Sequence, residues 1–133
     1  MKLLDLSGFA NETVKDLGFD VITKSDFMNW AYKYYPNKYF EVTCWSEDST
    51  DYDVDDIYVV MDILEYFEPK YWIITNPTCG KLKDDLLMYG LPYMDVTCEK
   101  MRVWNNVFKW QPKPLETKHD LFYDMLKTIK LQN

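Results

Sequence analysis

One succession constrains this chain more than any other: an amphipathic stretch, a proline stop, and then a continuous apolar run. From about Val54 to Phe67, the residues Ile57, Val60, Met61, Leu64 and Phe67 recur at the helical period while Asp55, Asp56, Asp62 and Glu65 fall elsewhere. That pattern predicts a helix with one buried face. Pro69 cannot continue it. Tyr71 to Thr75 then runs without alternation, as a central parallel strand covered on both faces does, and Asn76-Pro77 ends it.

The remaining segments extend the same alternation. Lys2 to Leu6 is a short apolar run stopping at Ser7-Gly8, and Asn11 to Leu17 can form a helix ending at Gly18. Phe19 to Thr23 and Phe40 to Trp45 are β-branched or aromatic strand candidates, and Ser25-Asp26 can cap a brief helical turn over Phe27 to Lys33. Asp84 to Tyr89 reads as a weak helix and Met101 to Val107 as a strand. Leu121, Phe122, Met125, Leu126 and Ile129 mark a C-terminal amphipathic helix over about residues 115–131. The expected fold class is α/β, a mostly parallel sheet flanked by helices. With 133 residues and 16.0 kDa, a single domain 1–133 is expected, its sheet within 1–110 and Gln111-Pro112-Lys113-Pro114 a stiff connector to the last helix.

Charge and composition narrow the function classes. The formal net charge of -7 repels a phosphate backbone, which disfavours DNA binding. Cys44, Cys79 and Cys98 form no CxxC pair and the single histidine, His119, stands far from them, so no metal site is expected. Buried or spectator thiols suit a reducing compartment. No apolar run approaches the length of a membrane helix, and Asp5 interrupts what a signal core would need, so an intracellular location is expected.

Four segments, in order, resemble the DNA cytosine-5 methyltransferases, in particular the short forms encoded by phages and large DNA viruses. Leu4-Asp5-Leu6-Ser7-Gly8 is similar to the family's opening Leu-Asp-Leu-Phe-Ser-Gly strand and turn. Tyr39-Phe40-Glu41-Val42 through Ser49-Thr50-Asp51-Tyr52 resembles the strand and loop that carry the catalytic cysteine. Phe67-Glu68-Pro69-Lys70-Tyr71-Trp72-Ile73-Ile74-Thr75-Asn76-Pro77 resembles the Lys-Pro-Lys-Tyr-Trp-Phe-Ile-Glu-Asn-Pro strand. Gly90 to Val96 and Arg102 to Asn106 match the region that follows. The resemblance implies a Rossmann-like methyltransferase fold, reduced in size, of a family whose active members bind S-adenosylmethionine.

The same correspondence implies that the chemistry is gone. Ser49 falls where the family has its nucleophilic cysteine, and a serine hydroxyl stays protonated and weak without an adjacent base. A migrated nucleophile at Cys44 would have to act from the third strand rather than from the loop. Thr75 stands where the family's glutamate holds a proton against the flipped base, a task no hydroxyl performs. Only Arg102 remains of the family's basic loop, so Ser49, Thr75 and Arg102 are vestigial catalytic positions. Asp5, Gly8 and Asp26 are vestigial cofactor positions: the ribose acid after the second strand is missing, and Phe9-Ala10-Asn11 replaces small residues in the phosphate-side turn.

A pseudoenzyme without a cofactor is the resulting expectation, acting as a structural or protein-interaction component in a host cell's cytoplasm or nucleus, or in a virion. A divergent S-adenosylmethionine-dependent methyltransferase or cofactor-sensing regulator is the enzymatic alternative. A third reading takes the acids Glu47, Asp48, Asp51, Asp53, Asp55 and Asp56 as a surface that binds a basic partner, against the plain reading of a solvated loop whose charges suit a helix N-terminus. Aromatic residues make up 17% of the chain, with Trp30, Tyr32, Tyr34, Tyr35, Tyr39 and Phe40 crowded together. Some of these rings must reach the surface, which favours a protein partner or a homo-oligomer.

Overall fold

The first apolar run forms strand β1, Lys2–Asp5, in a computed structural model that describes residues 1–7, 11–34, 40–47, 54–96, 99–108 and 117–132. Helix α1, Asn11–Asp16, stops where Gly18 takes a left-handed φ of 82°, which a side chain would resist. There the Gly18 N–H donates to Lys15 O at 2.9 Å and the Phe19 N–H to Val14 O at 3.0 Å. Strand β2, Asp20–Thr23, runs straight into helix α2, Lys24–Tyr34. The brief turn expected over Phe27 to Lys33 is thus an eleven-residue helix. Its cap is Thr23 rather than Ser25-Asp26, because Thr23 Oγ1 accepts from the Asp26 N–H at 3.1 Å.

Strand β3, Val42–Ser46, is buried throughout. Helix α3, Val54–Asp62, carries Asp55 and Asp56 in its first turn and continues as a π-helical turn, Ile63–Phe67. The wide turn closes with the Glu68 N–H on Ile63 O at 3.2 Å, and Glu68 then takes a left-handed φ of 46° before Pro69. Strand β4, Tyr71–Pro77, has Ile73 to Asn76 buried in succession, as the unalternating run predicts. Helix α4, Leu82–Leu87, begins and ends two residues earlier than the sequence suggests. Strand β5, Tyr93–Val96, is a strand that the pattern reading did not assign, and β6, Met101–Asn105, stops before Val107. Helix α5, Lys118–Leu131, starts at a Thr117 cap whose Oγ1 accepts from the Asp120 N–H at 3.0 Å.

The strands take the order β2-β1-β3-β4-β6-β5 in one mixed sheet. β1 is parallel to β2 and β3, with Leu3 opposite both Val21 and Val42. β6 is antiparallel to β4 and to β5, which corrects the expectation of a mostly parallel sheet. Only a short link joins β5 to β6, too short for the crossover that parallel neighbours need.

The chain divides into two compact units, Met1–Trp45 with Asp53–Trp72, and Ser46–Tyr52 with Ile73–Asn133. In the first, Leu4, Ile22, Phe27, Phe40, Ile63 and Phe67 form one buried cluster. Phe27 meets Phe40 and Phe67 edge-on at 5.9 and 5.3 Å, while Phe40 and Phe67 stack at 5.7 Å. In the second, the buried side chains include Ile73, Ile74, Leu82, Leu86, Val103 and Trp104, together with Leu121, Phe122, Met125, Leu126 and Ile129 of α5. Among the described residues no helix is long and apolar enough to cross a membrane.

Candidate functional site

In the first unit the chain leaves β1 for β2 on one side and later returns to place β3 on the other, so the topological switch point lies between β1 and β3, one strand over from the cleft at the tips of β1 and β2. Ligand crevices of open α/β sheets form outside the carboxyl ends of the strands at such a point. A cleft of about 250 Å³ opens at the ends of β1 and β2, lined by Asp5, Leu6, Ser7, Val21, Thr23, Lys24 and Ser25. That is smaller than the roughly 300 Å³ at which pockets for drug-sized ligands begin.

Asp5, Ser7, Thr23 and Lys24 around the cleft each have a local task. Asp5 is buried, and its Oδ1 accepts from the Ser7 N–H at 3.2 Å and from Ser7 Oγ at 3.5 Å, which shapes the turn after β1. Thr23 Oγ1 caps α2. Lys24 stands just past the tip of β2, where a dinucleotide-binding unit carries an acid for the ribose, and its Nζ lies 3.2 Å from Asp56 Oδ1 on α3. A second, far smaller recess of about 10 Å³, at the lower limit for one water, lies between Lys24 and Asp56 and is walled by Leu6, Trp45, Val59 and Val60. Asp26 is exposed in the first turn of α2 and does not line the cleft. Gly8 lies outside the described residues.

In the second unit Thr75 is fully buried. Its Oγ1 donates to Ser46 Oγ at 2.9 Å, and its carbonyl accepts from the Glu47 N–H at 2.9 Å. Asn76 Nδ2 donates to Glu47 O at 2.7 Å, so two adjacent residues of β4 fix the chain where it enters the acidic stretch. The turn beyond β4 depends on Gly80, whose N–H donates to Pro77 O at 2.9 Å and where a Cβ would overlap Asn76 Oδ1. Glycine there is a packing requirement.

Arg102 faces away from Thr75, since Thr75 pairs with Val103 and Arg102 with Asn76 and Asp95. Its Nε donates to Asp95 Oδ1 at 2.8 Å and its NH2 to Asp95 Oδ2 at 3.2 Å, a two-pronged bridge across β5 and β6. The guanidinium carbon also lies 3.8 Å from the Tyr93 ring centroid. The hydrogen bond to Asp95 pushes the guanidinium pKa up despite partial burial. These contacts commit Arg102 to holding two strands together.

Among the six acids of the candidate partner surface, Asp48, Asp51 and Asp53 lie outside the described residues, as do Ser49, Cys98 and the Gln111 to Pro114 connector. Glu47 is half-buried, Asp55 exposed, and Asp56 ion-paired with Lys24. Of the crowded aromatic stretch, Phe40 is buried in the first core, while the side chains of Trp30, Tyr32, Tyr34, Tyr35 and Tyr39 lie outside the described set. Cys44 is buried opposite Asp5, and burial first, then the Asp5 charge, pushes its thiol pKa well above the ordinary value. A protonated thiol in that position is no nucleophile. Among the described residues no three His, Cys, Asp or Glu side chains gather as a metal site.

The sequence reading missed Lys24, Gly80 and the Tyr93-Asp95-Arg102 cluster. The last carried a usable signal, the alternation of Tyr93 and Asp95 with Met94 and Val96. No protein-family model, curated protein or solved structure matches this chain.

Proposed function

We propose that this chain is a non-catalytic relative of the DNA cytosine-5 methyltransferases that works through protein contacts. The observation carrying the reading is Thr75: where the family's acid would meet the base, a buried hydroxyl is bonded to Ser46. A group so enclosed has neither the acidity nor the access to hold a proton against a substrate. The cofactor side supports the same conclusion, because the tip of β2 carries Lys24 tied to Asp56 in place of a ribose-binding acid. The fold-level support is the switch point beside the strand that ends in Asp5.

The divergent-enzyme and cofactor-sensor alternative is favoured by one feature, the 250 Å³ cleft floored by Asp5. Thermal unfolding with saturating S-adenosylmethionine or S-adenosylhomocysteine, beside a methyl-transfer assay on cytosine-containing DNA, separates the readings. The non-catalytic reading expects no transfer and no rise in melting temperature. A ligand at a hundred times its Kd would add about 2.7 kcal/mol and raise the midpoint by several degrees, which supports the sensor reading. Transfer of methyl groups by the purified chain refutes the proposal. The basic-partner reading is weakened at Asp56, whose charge is already met by Lys24.

A further inference from the structure

Strand β5 ends the sheet order, and its register with β6 fixes which backbone groups face outward. The Asn105 N–H donates to Pro92 O at 3.1 Å, one pair beyond Tyr93 opposite Trp104. Hydrogen-bonded and non-hydrogen-bonded pairs alternate in an antiparallel ladder, so Met94 with Val103 and Val96 with Met101 are the next bonded pairs. Tyr93 and Asp95 therefore turn their N–H and C=O groups away from β6. Among the described residues no strand lies on that side.

Exposed strand edges are usually guarded by a lysine, a proline or an unmatched charge. β5 reads Tyr-Met-Asp-Val and has none of these guards, because its one charge, Asp95, is drawn sideways onto Arg102. On β5 Tyr93 is 53% exposed, and in the preceding segment Leu87 and Met88 are 78% and 86% exposed. A chain with net charge -7 repels its own copies, so self-association requires a surface where the acid is already matched. This edge is such a surface.

We infer that β5 pairs antiparallel with β5 of a second copy of this chain, about a twofold axis at Met94. Tyr93 then faces the partner's Asp95, and Asp95 faces the partner's Tyr93. Both are bonded pairs, so all the outward backbone groups of the two residues are used. On the side-chain face the partner's Tyr93 arrives next to Asp95 and the Arg102 guanidinium, which already carries its own chain's Tyr93 ring at 3.8 Å. A second copy brings, in one register, partners for the outward backbone groups and a tyrosine ring toward the Arg102 guanidinium. The pairing names a surface for the protein-interaction role proposed above and rests on that reading. A four-residue strand buries less than a standard interface, so the dimer is weak.

Sedimentation of the whole chain over about 1 to 500 µM, with residue-resolved amide exchange by NMR, tests it. The mass is expected to rise from 16.0 kDa toward twice that value. Exchange at Tyr93 and Asp95 should slow with concentration, while Met94 and Val96 stay protected throughout. Tyr93→Glu, with an unchanged melting curve in dilute solution, should weaken the dimer about tenfold or more, because it removes the ring and sets a second carboxylate opposite the partner's Asp95. A chain that stays monomeric overturns the inference, and so does a dimer whose Tyr93 and Asp95 amides exchange independently of concentration. Neither readout involves methyl transfer, so a monomer leaves the non-catalytic reading standing, and an active enzyme leaves the pairing standing.

Discussion

Replacing Thr75 with glutamate introduces the acid that the resemblance assigns to this position, and the surroundings of Thr75 set the consequence. The site is fully buried, and the Thr75 hydroxyl meets the Ser46 hydroxyl at 2.9 Å. A glutamate has a pKa of about 4.3 in the unfolded chain, and full burial raises such a group by about 3 to 5 units. The folded state then keeps a proton that the unfolded state releases, so stability falls as pH rises from about 4.3 toward the raised folded value. At about 1.4 kcal/mol per unit, that linkage costs about 4 to 5 kcal/mol by pH 8 and almost nothing at pH 4. Overpacking adds about 1 to 3 kcal/mol at both pH values. Against a typical total of about 5 to 15 kcal/mol, Thr75→Glu should be marginal or unfolded at pH 8 and markedly recovered at pH 4 relative to the wild type. Urea unfolding of both proteins at the two pH values, followed by far-UV circular dichroism, measures the difference. An offset that is equal at pH 4 and pH 8 would refute the reasoning, because it would mean that the position opens onto a solvated pocket able to hold a carboxylate.

Three further outcomes are expected. Because burial and Asp5 raise the Cys44 thiol, native Cys44 should resist a thiol reagent at pH 8 that labels the exposed Cys79; folding stability should also decline above the ordinary thiol pKa of about 8.5, where only the unfolded chain ionises. Equal labelling by peptide mass spectrometry would contradict this. Gly80→Ala should cost about 1 to 3 kcal/mol in urea unfolding and speed amide exchange at Glu47, because the new methyl must displace Asn76, which holds Glu47 O. Glu68→Gly should be neutral or stabilising by up to about 1 kcal/mol, since it relieves a left-handed residue at φ 46°, whereas Glu65→Gly inside the π-helical turn should cost about 1 kcal/mol.

How much of the site was legible differs from residue to residue. Ser49, Thr75 and the ribose acid were singled out only through a resemblance that assigns residue types to positions, and Ser49 lies outside the described residues. What Thr75 does instead could not be read, since its Ser46 partner is distant in sequence and comes from another strand. Lys24 and Asp56 are likewise far apart in the chain, and each alone reads as an ordinary surface charge. Strand β5 went unassigned because four residues with a central acid match a loop as well as a strand, and only β6 and Arg102 make that acid compatible with a sheet.

By itself the sequence determined the elements whose signals are local. Periodicity gave Ile57 and Val60 of the buried face of α3 while Met61 is only half-buried, unbroken apolarity gave β4, and Gly18 and Pro69 gave stops, because each depends on the backbone and on neighbours within a turn or two. Net charge was equally fixed. Tertiary structure decided the direction of β6, the tying of Lys24 to Asp56, the enclosure of Thr75 and the diversion of Arg102 onto Asp95. Those outcomes depend on which distant segments become neighbours. A charge or hydroxyl has no fixed role until the group that neutralises, buries or bonds it is in place.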